Sequence, residues 1–383
     1  MNRSPQGRPT LTVRGSILGR ITWHPVTSEE RPDHILALSS FDDGADLIGY
    51  AGVLIQESSP EVPNDIPIVH GCTGIDQLRA GDIVGLRSTG QIRILYRSTS
   101  DFNVLFATDH CNSLCLMCSQ PPRNVNESGI MAEHRRFLRL LPQGIPELGI
   151  TGGEPTLLGD GFLEIIQLCK DLHPNTPLHV LTNGRLFYYA SLARNLSEIQ
   201  HPDLMLGIPV YSDIDSQHDY VVQAQGAFEE TLIGLHNLGR YGVRVEIRVV
   251  LHRDTYKRLL PLAEFLYRNL PFASHIAFMG MESMGFAVPN LEKLWMDPTD
   301  YQAQLRDAAL FLAQRGMRVS IYNHQLCVMP KELWPYCRKS ISDWKNDYLP
   351  ECAECSVRDD CGGFFTSSLA LQSISRNIRP LRA

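Results

Sequence analysis

The stretch Phe106–Arg123, FATDHCNSLCLMCSQPPR, follows a β-type run and places three of the chain's ten cysteines within eight residues. Cys111, Cys115 and Cys118 have the spacing C-x3-C-x2-C. A structural zinc ion normally has four protein ligands, and an iron-sulfur cube likewise has four irons to ligate. The loop supplies one ligand fewer than either site needs. It therefore favours a cluster with one iron open to a substrate or cofactor, although half of a zinc site is an alternative.

The composition predicts a soluble globular protein of two or three domains. The chain has 383 residues, of which 43% are hydrophobic, enough for more than one buried core. Its first ten residues, MNRSPQGRPT, form no apolar segment, and no stretch approaches the roughly 18 apolar residues of a membrane helix. We therefore expect a cytoplasmic protein whose clustered cysteines are metal ligands or redox groups rather than disulfides. A net charge of -7 disfavours nucleic acid as a partner.

The order of β-type and helical runs predicts an α/β fold with three parts. Residues 1–100 alternate short β-type runs with turns, including a hairpin from Ile83 to Tyr96, and are predicted to form a small β-rich domain. Over residues 101–316, six β-type runs alternate with helical segments, which predicts a parallel sheet curled into a partial TIM-like (β/α)6 barrel. Residues 317–383 depart from this alternation and hold five of the ten cysteines, so we expect a third, smaller domain there.

Polar or glycine-rich loops follow the first four strands predicted for the barrel. The cysteine loop follows the first strand, and the sequences GGEP, TNG and YSD end the next three. Chemistry in such barrels gathers at the carboxyl ends of the strands. The sequence therefore predicts one site on this rim.

The cysteine loop and GGEP, in this order on successive strands, resemble the radical S-adenosylmethionine (SAM) enzymes over about residues 103–285. The resemblance implies a [4Fe-4S] cluster held by Cys111, Cys115 and Cys118, with SAM chelating the open iron. One electron from the cluster then cleaves SAM to a 5′-deoxyadenosyl radical, which abstracts a hydrogen atom from the substrate. Either motif alone is a weak match.

The same resemblance assigns cofactor contacts by position. The residues implied are Met117 beside the adenine, Gly152, Gly153, Glu154 and Pro155 at the SAM amino group, and Asn183, Ser212 and Arg248 near the ribose and carboxylate. Three of them have plain structural alternatives. Asn183 is equally suited to a turn before Gly184, Arg248 to an ion pair with Glu246, and Met117 to a core position. The segment with His218 and Asp219 resembles one in peptide-modifying members, and it implies no specific role for either residue.

The tail carries a second cysteine motif, Cys352-x2-Cys355-x5-Cys361, followed by glycine. It resembles the auxiliary-cluster domains called SPASM or twitch, except that no cysteine follows Cys361, which argues for one extra [4Fe-4S] cluster rather than two. The preferred fourth ligand is Cys327, and Cys337 is the reserve candidate. A zinc knuckle with the same ligands is the alternative, because thiolate spacing does not distinguish zinc from iron-sulfur.

Two cysteines fall outside these motifs. Cys169 lies on the apolar stripe of a predicted helix and is expected in the core, whereas Cys72 has no partner motif.

Nearly the whole chain, including SISDWKND in the tail, resembles the maturases of His-Xaa-Ser peptide systems of the type called HxsC. This implies a ribosomally made precursor peptide with His-Xaa-Ser repeats as substrate, a companion radical SAM maturase, and a flavodoxin- or ferredoxin-like electron donor. We expect the auxiliary cluster to accept the electron left on the product radical. The alternatives are a radical SAM enzyme acting on RNA or a small molecule, and a non-enzymatic zinc-binding interaction protein.

Overall fold

The computed structural model describes residues 4–10, 12–13, 15–41, 45–58, 62–63, 65–340 and 346–382. Most of the SISDWKND stretch, residues 341–345, lies outside the described residues. The chain divides into two compact units, each continued by later segments. The first comprises Met1–Leu105, Glu127–Leu148 and Gln167–Thr176, and the second comprises Phe106–Asn126, Gly149–Ile166 and Pro177–Ala383. The predicted division into 1–100, 101–316 and 317–383 stays a prediction.

The first unit contains a seven-stranded sheet among its described residues, in the order β1-β5-β4-β3-β2-β6-β7. Its strands are β1 Gln6–Pro9, β2 Ser16–Thr22, β3 His34–Leu38, β4 Gly52–Ile55, β5 Ile68–Thr73, β6 Ile83–Arg87 and β7 Ile92–Tyr96. The predicted hairpin is confirmed, since β6 and β7 pair antiparallel with Ile83 opposite Tyr96. Gly90 turns the chain with φ of 81°, a left-handed conformation that glycine adopts without steric cost.

Eight described strands form the second sheet, in the order β15-β14-β13-β12-β11-β10-β9-β8. They are β8 Phe102–Phe106, β9 Glu147–Thr151, β10 Leu178–Leu181, β11 Leu204–Pro209, β12 Arg244–Leu251, β13 His275–Gly280, β14 Val319–Tyr322 and β15 Cys337–Arg338. Neighbouring strands from β10 to β15 pair in parallel. In β12, the alternate residues Val245, Ile247 and Val249 are apolar and fully buried, as is typical of parallel sheets covered by helices.

Nine helices are found in the described part of the chain. They are α1 Ile130–Leu140, α2 Asp160–Leu172, α3 Ala190–Ile199, α4 Asp215–Val222, α5 Ala227–Arg240, α6 Leu259–Asn269, α7 Leu291–Leu294, α8 Pro298–Ala313 and α9 Thr366–Ala370. Among the described residues, no helix is both long and apolar enough to cross a bilayer.

The predicted α/β fold, with a curled sheet and a β-rich leader, is confirmed. The sheet is longer than the six strands predicted for the barrel, because β14 and β15 of the tail continue it. Strand β15 has two residues, too few for a periodic pattern to reveal. The sequence patterns also do not predict helix α4, since five of its eight residues, DSQHDYVV, are polar.

Candidate functional site

A cavity of about 300 Å³ lies in the second unit at the carboxyl ends of the parallel strands. Its wall includes the last residues of four strands, Thr151, Leu181, Pro209 and Gly280. Most of the predicted site residues line the same cavity. They are Cys111, Cys115, Cys118, Met117, Gly152, Gly153, Asn183 and Arg248. The loops that follow these strands therefore surround one shared cavity. Its volume suits a small-molecule ligand.

Backbone hydrogen bonds hold the cysteine loop on two sides. The amides of Leu114 and Leu116 donate to the carbonyls of Val222 and Val221, at 3.0 and 2.9 Å, where α4 ends. On the other side, the amide of Phe286 donates to the carbonyl of Cys118 at 2.8 Å. Helix α4, absent from the predicted elements, is thus a direct support of the loop.

Gly152 and Gly153 are required by the close approach of the cysteine-loop backbone. Gly152 has φ of 139°, and a Cβ atom on it would lie 2.5 Å from the carbonyl oxygen of Thr108. A Cβ atom on Gly153 would collide with the carbonyl oxygen of His110. The amides of Gly153 and Glu154 donate to those two carbonyls at 2.7 and 2.8 Å. The glycines therefore fix one cavity loop against the other.

Glu154 is fully buried and does not line the cavity. Its Oε1 accepts hydrogen bonds from the amide and hydroxyl of Thr156 and from the hydroxyl of Thr182, and its Oε2 accepts one from the amide of Asn183. Burial raises the pKa of Glu154, and these donors oppose the shift. The carboxyl group therefore ties the loops after β9 and β10 together, while Pro155 is buried beside it.

The other predicted contacts differ in placement. Asn183 donates from Nδ2 to Oδ1 of Asn112 in the cysteine loop at 2.6 Å. Arg248 both lines the cavity and forms the predicted ion pair, 2.8 Å from Oε1 of Glu246. Ser212 is buried and is not part of the cavity wall. Its hydroxyl donates a hydrogen bond to Oε1 of Gln217 and accepts one from the amide of Ile214.

Burial, together with the neighbouring Cys118 and Cys111, raises the pKa of the Cys115 thiol to about 12. Burial also raises the pKa of Cys111 and of Cys118. Within the described ranges, no three Cys, His, Asp or Glu side chains converge closely enough to hold a single metal ion.

Arg185 is a residue of this site that sequence analysis missed. Its Nη1 donates hydrogen bonds to the carbonyl of Asn112 and, at 3.1 Å, to the hydroxyl of Ser113. Arg185 therefore holds two residues of the cysteine loop in place. Its Nε donates to Glu230 at 2.6 Å. The only signal in the sequence was its position directly after TNG.

His218 and Asp219 do not line the cavity and instead hold the backbone of neighbouring residues. Nδ1 of His218 accepts the amide of Tyr211, a cavity residue, at 3.2 Å. Burial lowers the pKa of His218 to about 4, so the imidazole is neutral near pH 7. Asp219 accepts the amides of Gly226 and Phe228 at the start of α5, at 2.5 and 2.8 Å, which satisfies donors that a helix leaves free.

The tail forms a second, much smaller cavity of about 20 Å³ in the same unit. Four cysteines line it, namely Cys327, Cys352, Cys355 and Cys361. Cys337 is not part of this wall and instead points its thiol at the carbonyl of Leu333, 3.5 Å away. Cys169 is fully buried in α2, as expected for a core residue.

The fold is α/β, and its strand ends meet at a cysteine-lined cavity. A model of the Radical SAM superfamily matches residues 105–266. The chain therefore carries a radical SAM domain, and the predicted enzyme class is confirmed. No curated protein sequence matches the chain at a significant level.

Several solved structures are similar to parts of the chain. SuiB from Streptococcus suis bound to S-adenosylmethionine has 16% identity and a TM-score of 0.49, covering 66% of this chain and 56% of SuiB. Native anSMEcpe with bound AdoMet has 20% identity and a TM-score of 0.44, covering 57% of this chain and 63% of anSMEcpe. A radical SAM methyltransferase from Sphaerobacter thermophilus has 14% identity and a TM-score of 0.42, covering 64% and 74%. The chain thus spans little more than half the length of SuiB.

Proposed function

We propose that the protein is a radical SAM peptide maturase with its active site in the larger cavity. One observation carries the proposal: three cysteines of one loop and the glycines of GGEP share one cavity within the radical SAM domain. The donor set fits the cofactors, because three thiols leave one corner of a [4Fe-4S] cluster for SAM. The lining residues Met117, Gly152, Gly153, Asn183 and Arg248 would contact SAM, whereas Glu154, Pro155 and Ser212 would shape the loops around it.

When bound, the first cluster and SAM supply a 5′-deoxyadenosyl radical, and the auxiliary cluster supplies an acceptor for the electron that the substrate radical loses together with a proton. The chain's own part is to position and enclose. Arg248 offers a cation whose Nη1 is oriented by Glu246, which suits a ligand carboxylate. Tyr211 contributes a neutral phenol to the wall, because burial raises its pKa well above the ordinary value.

We assign the auxiliary [4Fe-4S] cluster to Cys327, Cys352, Cys355 and Cys361. The support is that these four thiols line one small cavity and that the Cys337 thiol is directed elsewhere. Four cysteine ligands complete a cubane, in contrast to the three-cysteine loop. The proposed electron-accepting role requires Cys355, so a Cys355→Ala variant that keeps its first cluster should lose product. Undiminished product yield would exclude that role.

The proposed substrate is a precursor peptide with His-Xaa-Ser repeats, with a companion maturase, a flavodoxin- or ferredoxin-like donor and a cytoplasmic setting. This finer assignment rests on the sequence resemblance over the leader, loops and tail. It is tested by co-expressing the protein with such a peptide and measuring the mass of the peptide. A mass change that disappears in the Cys115→Ala variant is the expected result.

The enzyme class is tested separately by anaerobic reconstitution. We expect about eight irons per chain, from two cubanes, and 5′-deoxyadenosine from SAM after reduction with dithionite. Stoichiometric zinc without iron or SAM cleavage would overturn the proposal.

A further inference from the structure

The short segment Ile378–Leu381, with the sequence IRPL, lies against the tail cavity. Ile378, Arg379 and Pro380 line it together with the four cysteines assigned above. No sequence motif marks this segment. Its first residue, Ile378, lies 17 positions after Cys361. Its position nevertheless makes it part of the wall around the thiols.

Two backbone amides of the segment donate to cysteine sulfurs. The amide of Leu381 lies 3.4 Å from Sγ of Cys355. The amide of Arg379 donates to the thiol of Cys327 and opposes the rise in pKa that burial causes there. The segment is itself held in place, since the carbonyl of Leu381 accepts the amide and the hydroxyl of Ser356 at 2.8 and 2.9 Å.

The sequence explains why both donors face the cysteines. Pro380 lies between them, has no N–H group and fixes its own φ. A residue before proline is also pushed towards an extended conformation, which applies to Arg379. In an extended chain, groups two residues apart point to the same side. The N–H groups of Arg379 and Leu381 therefore point to the same side of the chain. Pro380 has no N–H group that could point to the opposite side.

We propose that Ile378–Leu381 belongs to the auxiliary cluster site and raises the reduction potential of the cluster through N–H donation to the sulfurs of Cys355 and Cys327. The inference rests on the tail ligand set proposed above. Hydrogen bonds to ligand sulfurs and local charge are among the factors that set the potential of an iron-sulfur cluster. A donor stabilises the reduced cluster more because that state carries more negative charge. Arg358 and Arg379 also line this cavity, and their positive charge acts in the same direction.

The potential itself is the decisive measurement. In the full chain with Cys111, Cys115 and Cys118 replaced by alanine, only the auxiliary cluster remains to be titrated by electron paramagnetic resonance. Leu381→Pro removes the N–H donor, whereas Leu381→Ala keeps it and is the matched control. We expect a lower midpoint potential for Leu381→Pro and an unchanged one for Leu381→Ala. Equal potentials in the two variants, at equal iron content, would overturn the inference.

A milder variant covers the case in which Leu381→Pro assembles no cluster. Ser356→Ala removes one of the two hydrogen bonds that hold the carbonyl of Leu381. We expect a severalfold faster release of auxiliary iron to a chelator, together with a smaller fall in potential. A release rate and potential equal to those of the parent would overturn the inference.

Iron content separates this inference from the assignment beneath it. About eight irons in the native chain, with no effect of the segment variants, would refute the role of the segment alone. About four irons in the native chain, with none in the variant that lacks Cys111, Cys115 and Cys118, would refute the tail ligand set and the inference together.

Discussion

The two cysteine sites of the second unit differ in how much room they leave beside their thiols. The barrel site has three cysteines within one loop and a cavity of about 300 Å³. The tail site has four cysteines spread from Cys327 to Cys361 and a cavity of about 20 Å³. A metal site that keeps an open position serves catalysis, whereas a closed one holds its metal without substrate access. The same ligand type is thus suited to two tasks by the space around it.

The sites also differ in how they are held. The barrel loop is fixed by bonds from α4, from Arg185 and from the amide of Phe286. The tail site is bounded by chain that follows it, Ile378–Leu381, which donates directly to sulfur. The barrel loop is thus held by bonds that do not involve its thiols, whereas the tail site includes a backbone segment bonded to one of its sulfurs.

The largest expected effect comes from breaking the open site. Cys115→Ala should abolish 5′-deoxyadenosine formation and reduce iron from about eight to about four per chain, because one cubane loses a ligand. Liquid chromatography of the nucleoside and an iron assay measure both. Cys72→Ala, a buried cysteine outside both sites, should retain activity and iron. Full activity in the Cys115→Ala variant would contradict the proposed site.

The closed site should fail independently of the open one. Cys327→Ala should also reduce iron to about four per chain while leaving SAM cleavage measurable. Cys337→Ala is the matched control, because its thiol lies outside the tail cavity, and it should keep both clusters. Iron loss in Cys337→Ala with none in Cys327→Ala would reverse the ligand assignment.

The support of the open site should matter less than its ligands. Arg185→Met removes the donors to Asn112 and Ser113, and outer-shell changes of this kind typically cost about 10- to 100-fold in metal affinity or activity. We expect that loss in the rate of SAM cleavage, with the tail cluster intact. Arg194→Met is the control, since Arg194 is 57% exposed in an ion pair with Glu198 on α3. Equal rates in both variants would show that the loop is held without Arg185.

The last prediction concerns the effect of acid on stability, which is separate from activity. Burial lowers the pKa of His218 and His252, near the barrel site, and of His324, in the tail, to about 4. The unfolded chain has a histidine pKa of about 6.5, so it binds more protons below that value. The free energy of unfolding is therefore unaffected by these histidines above about pH 6.5. It falls as the pH drops from 6.5 towards 4, because the unfolded chain is protonated first. Each should cost roughly 2 kcal/mol at pH 5.

His252 provides the test because both of its ring nitrogens are buried without a hydrogen-bond partner among the described residues. His252→Phe should lose less stability than the parent between pH 7.5 and pH 5, measured by urea unfolding. His24→Gln, at an exposed position, should lose as much as the parent. The same loss in His252→Phe would show that another group dominates the acid response.

Much of the barrel could be predicted because its signals are local. The strands β8 to β13 are apolar runs separated by glycine-rich loops, and the helices between them are amphipathic. The two-residue strand β15 and helix α4 give no such signal. Their state depends on pairing with residues far along the chain, which no local pattern records.

The sequence by itself determined which groups are available: three thiols at fixed spacing, a glycine pair on the next strand, and further cysteines in the tail. Only the tertiary structure decided what each group faces. It buried Glu154 away from the cavity wall, brought Arg185 to the cysteine loop and directed the Cys337 thiol to the carbonyl of Leu333. The reason is that spacing along a chain fixes reach, whereas orientation and space depend on neighbours that folding brings from elsewhere in the sequence.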